Sequence, residues 1–142
     1  MEEEEGMGDI QKGSCLCGAV SFEIEGALQS FFLCHCSRCR KDSGSAHAAN
    51  IFSTSAKLRW LSGEEKVRTF VLPSTRHARS FCCVCGSALP GQQMQSALLA
   101  IPAGSLDSDF SMRPDAHICV ADKAAWDEDL HTIRVLEGLP GQ

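Results

Sequence analysis

Apolar residues recur along the chain in short alternating runs rather than in helical stripes. Over Ala19–Glu25, Val20, Phe22 and Ile24 fall on one side of an extended chain, with Ser21, Glu23 and Glu25 on the other. This is the period of two that a half-buried strand imposes. Shorter β-like runs follow at Ser30–Leu33, His47–Phe52, Leu58–Leu61, Val67–Leu72, Ala97–Pro102 and Ala116–Val120. Ser62-Gly63, Pro73-Ser74, Pro90-Gly91 and Ala103-Gly104 punctuate them as turns. Many short strands at this spacing predict an all-β domain. One helical stretch of a turn or two is expected over Asp122–Leu130, with Asp122 as its N-cap.

The length of 142 residues suits one domain. Residues 1–9 read as a solvated acidic tail and 10–142 as the folded unit. With 44% hydrophobic and 22% charged residues the chain is no disordered segment. Seven Phe, two Trp and no Tyr make a thin aromatic core, so a small β domain of this kind gains from a metal staple. Most of the formal charge of -5 comes from Glu2, Glu3, Glu4 and Glu5. The remainder is close to neutral, which disfavours a basic nucleic-acid-binding domain. Apolar stretches such as Ala97–Ile101 fall far short of the roughly 20 residues that span a bilayer. The first residues are acidic, without the positive and apolar regions of a secretory signal. The expectation is a cytoplasmic chain, where thiols stay reduced and clustered cysteines bind metal.

Cysteine is the anomaly of the composition. Of nine, seven fall in three tight groups: Cys15 and Cys17, then Cys34, Cys36 and Cys39, then Cys82 and Cys85. Zinc holds thiolates at about 2.3 Å in a tetrahedron. Side chains at i and i+2 of a flat strand stand roughly 6–7 Å apart and cannot converge so closely. The backbone must fold into a knuckle there, and Gly18 and Gly86, each directly after a cysteine pair, permit the dihedrals. The two pairs together make a closed set of four, Cys15, Cys17, Cys82 and Cys85, suited to a structural zinc. Cys34, Cys36 and Cys39 make an open set of three. Three protein ligands and one exchangeable position mark a catalytic zinc, able to lower the pKa of a substrate thiol or to polarise a carbonyl. The same triplet also fits a second structural zinc completed by His35, His47, His77 or His117. A thioredoxin-like use of Cys82 and Cys85 needs a βαβ context that the chain lacks. Cys83 reads as a bystander, Cys119 as a core residue and His131 as a surface residue.

Three runs, Gly13–Val20 (GSCLCGAV), Cys34–Arg40 (CHCSRCR) and Phe81–Gly86 (FCCVCG), resemble the family of glutathione-dependent formaldehyde-activating enzymes and centromere protein V. Ala103–Asp107 (AGSLD), Pro114–Ile118 (PDAHI) and Trp126 extend the likeness over roughly residues 12–127. The resemblance implies a β-tent type fold of twisted, mostly antiparallel sheets stapled by zinc. It also implies two zinc ions per chain: a structural one on Cys15, Cys17, Cys82 and Cys85, and an active-site one on Cys34, Cys36 and Cys39. The reaction it implies joins glutathione and formaldehyde to give S-hydroxymethylglutathione, which is carbon–sulfur lyase chemistry run in reverse. His117 is placed by the family pattern as a residue able to face the pocket as an acid–base group. Arg38, Arg40 and Lys41 stand beside the triplet, and the two arginines are candidates to hold a carboxylate of a thiol substrate.

Three function classes follow from these observations. The leading one is a zinc-dependent, carbon–sulfur lyase-like enzyme acting on a small thiol or aldehyde. The others are a glutathione or small-thiol carrier without catalysis, and a structural zinc module for protein contacts. The near-neutral domain speaks against a nucleic-acid partner.

Overall fold

The computed structural model describes residues 9–93 and 97–141; residues 1–8 of the expected acidic tail lie outside the described residues. Among the described residues, the first half of the chain forms β1 (Ile10–Ser14), β2 (Ser21–Glu25), β3 (Ser30–Cys34), β4 (Ala48–Ser53) and β5 (Lys57–Ser62). The second half adds β6 (Val67–Val71), β7 (Ala78–Cys82), β8 (Ala88–Leu89), β9 (Gly91–Gln92), β10 (Leu99–Pro102) and β11 (Ala116–Ile118). One α-helix, α1 (Ser37–Ser43), follows β3, and four 3₁₀ turns complete the regular structure of the described residues. The strands assemble as three sheets in the orders β1-β2-β5, β11-β3-β4-β10-β9 and β6-β7-β8. All pairings are antiparallel except β11 on β3, where Ile118 lies opposite Cys34. The mainly β architecture expected from the alternating runs is the one observed.

The alternation at Ala19–Glu25 places its residues as read. Val20, Phe22 and Ile24 are buried, and Phe22 meets Trp60 of β5 edge to face with ring centroids 5.9 Å apart. Glu23, on the opposite face, is buried as well, because its cross-strand partner Arg59 lies over it and donates from Nε at 2.9 Å. The charge-assisted bond offsets the cost of removing that carboxylate from water. The core gathers Val20, Phe22, Ile24, Phe31, Ile51, Leu89, Leu99 and Ile101 from all three sheets, and Cys15 and Cys82 pack among them.

The helix expected over Asp122–Leu130 is absent. Val120–Asp122 and Leu130–Thr132 are separate 3₁₀ turns, and Lys123 between them is extended. A segment this short cannot recover the cost of helix nucleation by itself, and its two large apolar residues, Trp126 and Leu130, stay 62% and 41% exposed. Asp127 instead reaches back towards His35 and Ala124 is buried. The observed helix, α1, carries the run SRCRKDS, in which only Cys39 is buried. It ends on Gly44, whose left-handed backbone (φ 67) lets its N–H bond back to Arg40.

Gly13 marks the closest approach between the first hairpin and the turn at Ala103–Ser105. A Cβ there would stand 2.3 Å from the Phe22 ring and 2.4 Å from the Ser105 carbonyl oxygen, whereas one on Gly104 would meet nothing within 4 Å. Gly13→Ala is therefore expected to destabilise the protein by about 1–3 kcal/mol, and Gly104→Ala by far less. Thermal unfolding of the two variants beside the parent protein measures the difference.

Candidate functional site

The first thiol cluster joins two loops. The β1–β2 loop carries Cys15 and Cys17. The second pair comes from the last residue of β7, Cys82, and from Cys85 three residues on. Both knuckles turn on the expected glycines, Gly18 at φ 82 and Gly86 at φ 80. The four sulfurs lie within 4.8 Å of one another. Cys15 Sγ and Cys17 Sγ are 3.7 Å apart, against an edge of about 3.8 Å for a tetrahedron of thiolates around zinc. The Val20 N–H donates to Cys15 Sγ and the Val84 N–H to Cys82 Sγ, each at 3.3 Å. Such donors favour the ionised sulfurs that a cation would hold. Hydrogen bonding with the Ser87 side chain and backbone brings Cys85 down to about 5. Cys17 goes the other way: the Ala19 N–H lowers it, but desolvation and the surrounding thiols carry it up to about 11. Without a cation, ionisation of one thiol suppresses that of its neighbours. The donor set, all sulfur, fits zinc.

The second cluster is built on the β3–α1 junction. Cys34 ends β3, Cys36 is the N-cap of α1, and Cys39 sits in its first turn, so a strand end and two helical positions converge. Their sulfurs also lie within 4.8 Å of one another, with no fourth His, Cys, Asp or Glu in the group among the described residues. Cys36 Sγ accepts from the Cys39 N–H at 3.4 Å. Burial opposes ionisation of Cys36, and that N–H together with the adjacent thiols outweighs it, so its pKa is lowered. Burial raises Cys39, and the two neighbouring thiols push it further. Burial also raises Cys34, with Cys36 and Cys119 acting in the same direction.

Cys34 and Cys39 open onto a cleft of about 480 Å³ between the second and third sheets. Asp42, His47, His77 and Arg79 share its walls. The other expected site residues divide. Arg38 is exposed and lines an adjoining groove with Lys41; that groove shares Asp42, His77 and Arg79 with the cleft. Arg40 lies beside Ala124 and Trp126 instead. His117 is outside the cleft lining and bonds through Nδ1 to His35 Nε2 at 2.9 Å. His35 is 3% exposed, with Asp127 Oδ2 3.1 Å from its Nδ1 but without hydrogen-bond alignment. Desolvation lowers the pKa of His47, and His35 and His117 beside it add to the effect. None of these histidines joins the thiol group. Cys119, expected in the core, is exposed: it follows β11 in a left-handed conformation (φ 58), which turns the chain outward beside Cys34. Cys83 and His131 are exposed. The Asp42–His77 pair, Oδ2 to Nε2 at 2.5 Å, was not foreseeable from spacing, since 35 residues separate the partners.

A mainly β scaffold with a four-thiol and a three-thiol cluster, the latter facing a cleft, defines the class. The model of the glutathione-dependent formaldehyde-activating enzyme family matches residues 10–122. A curated protein of Halomonas elongata, provisionally named a glutathione-dependent formaldehyde-activating enzyme, is 32% identical over 129 residues, covering 84% of this chain and 80% of its own. The chain belongs to this family. A structural-genomics crystal structure of a Rhodobacter sphaeroides protein shares the fold, with a TM-score of 0.55 at 24% identity over 75% of this chain and 98% of that one. Among the described residues, no helix is long and apolar enough to cross a membrane.

The thiol ionisations set a reactivity order for the metal-stripped protein. With Cys85 at about 5, its thiolate population is already saturated between pH 6 and 8, so its alkylation rate should be flat over that range. With Cys17 at about 11, its rate should rise about tenfold per pH unit. Iodoacetamide labelling read by peptide mass spectrometry, with Cys85 modified first at pH 6, checks both.

Proposed function

We propose that this chain is a zinc-dependent enzyme of the carbon–sulfur lyase type, which joins a small thiol, glutathione in the first instance, to formaldehyde in the cytoplasm. Residues 10–142 act in this reading as a single zinc-binding domain. The observation that carries it is the convergence of Cys34, Cys36 and Cys39, two of them opening onto a cleft of about 480 Å³, within the size range of small-molecule sites. Cys15, Cys17, Cys82 and Cys85 would hold a structural zinc, and Cys34, Cys36 and Cys39 a second, catalytic one. When bound, that second zinc supplies an exchangeable position and favours the thiolate form of a thiol.

The chain's own residues do the rest by placement. Cys36, at the helix N-cap and lowered in pKa, lies within 4.8 Å of the two thiols that line the cleft. Arg79 within the cleft and Arg38 in the adjoining groove attract the carboxylates of a peptide-like thiol. The cleft walls hold thiol and aldehyde together, converting a bimolecular addition into an effectively intramolecular one. His117 takes a supporting role, fixing the ring of His35 between two metal-ligand cysteines.

The test is the rate of S-hydroxymethylglutathione formation followed by NMR exchange. Zinc-loaded protein should accelerate it over the uncatalysed addition, and Cys36→Ser should reduce that acceleration by about 10²-fold while the four-thiol cluster keeps its metal. Glutathione binding by calorimetry with no effect on rate would assign the chain to thiol carriers instead. No acceleration with any thiol–aldehyde pair would contradict the reading.

A further inference from the structure

The cleft contains a second chemical feature besides the thiols. Asp42 stands near the end of α1, three residues after Cys39, His77 stands just before β7, and both line the cleft. Their side chains meet at 2.5 Å, Nε2 to Oδ2, and are 21% and 26% exposed, half-buried yet open to a ligand. In the neutral ring a carboxylate at Nε2 favours the tautomer protonated there, in which Nδ1 is the acceptor. The loop presenting His77 is held in place. Leu72 N–H donates to the His77 carbonyl at 2.9 Å, and His77 N–H donates to Thr75 Oγ1 at 3.0 Å. The Thr75 hydroxyl in turn donates to the Leu72 carbonyl at 2.9 Å. A group positioned by this many contacts is suited to act on a bound molecule.

We propose that His77 is the acid–base residue of this cleft and that Asp42 positions it. The proposal rests on the reading of the cleft as a thiol–aldehyde site. In the forward direction the thiol S–H bond breaks, its electron pair stays on sulfur and the proton passes to His77 Nδ1. The sulfur pair forms the new bond to the aldehyde carbon, and the carbonyl π pair moves to oxygen. That oxygen takes the proton back from His77, giving R–S–CH₂–OH with every atom and electron accounted for. Breakdown of the adduct follows the same path in reverse.

The surroundings of His77 are mixed in charge. Asp42 faces it from α1, with Arg38 and Lys41 along the same helix bordering the shared groove, Arg79 on β7, and the Cys34 and Cys39 thiols lining the same cleft. His47 also lines the cleft, but among the described residues no carboxylate bonds to it, and Asp127 acts on it only through its charge. The His47 ring packs against His35, burial lowers its pKa, and its buried Nδ1 lacks a hydrogen bond. Of the two, only His77 has its tautomer set and its ring held from behind.

The experiment uses the zinc-loaded protein with glutathione and formaldehyde as probes. His77→Gln should lower kcat about 10²-fold with the KM for glutathione and the metal content little changed. His77→Ala should be partly restored by added imidazole. Asp42→Asn should lower kcat about tenfold through loss of tautomer control. Independently of turnover, glutathione should protect His77 of the parent protein from diethyl pyrocarbonate, as read by peptide mapping; this holds as a test even if a variant fails to fold. Parent-like rates in His77→Gln, or a loss found in His47→Gln alone, would overturn the assignment while leaving the thiol–aldehyde reading intact. Absence of acceleration by the parent protein would overturn both.

Discussion

Four sulfurs drawn from two distant loops into a volume 4.8 Å across are the constraint on which the rest of the molecule depends. Thiolates repel one another, so a cluster of this density is stable only with protons or a cation to neutralise it. The all-sulfur donor set and the 3.7 Å contact between Cys15 and Cys17 suit zinc. The cluster ties the loop of the first sheet to the end of β7 in the third, and Cys15 and Cys82 are at the same time part of the hydrophobic core. Structural zinc contributes of order 10 kcal/mol in small peptides, comparable to the whole net stability of a domain at about 5–15 kcal/mol. A metal bound here would be a principal source of stability for a chain with a thin aromatic core. It would also fix the relative position of the first and third sheets, and so the wall of the cleft that carries His77 and Arg79.

The second cluster uses the same chemistry in different surroundings. Cys34 and Cys39 border an open cleft, and no fourth ligand completes the set among the described residues. The contrast follows from local structure. In the first cluster two glycine knuckles close on each other across sheets. In the second, a strand end and the first turn of a seven-residue helix supply all three thiols, and two of them border the cleft.

Much of this was legible beforehand, for physical reasons that can be traced. The alternation at Val20, Phe22 and Ile24 is a direct image of burial, and the three cysteine groups with Gly18 and Gly86 reflect how few backbone conformations bring thiols together. Helix α1 left no such image, because it is polar all round and is organised by the Cys36 cap, the Gly44 terminator and its junction with β3. β1, with Gly13 and Ser14 in its five residues, and the two-residue strands β8 and β9 lack enough apolar positions to show a period. The segment Asp122–Leu130 failed as a helix because it is too short to nucleate alone, and its Asp127 turns back towards His35. Asp42 and His77 meet only through the tertiary fold, which is also why spacing could not show them as a pair.

Metal content followed through timed chelation distinguishes a closed site that would stabilise the fold from an open site that would serve the proposed chemistry. Protein prepared under reducing conditions should contain two zinc ions per chain. One should leave readily to a mild chelator with the melting temperature little changed, and the other should yield only to a strong chelator, with a large drop in melting temperature. A single zinc per chain, tightly held, would contradict the account.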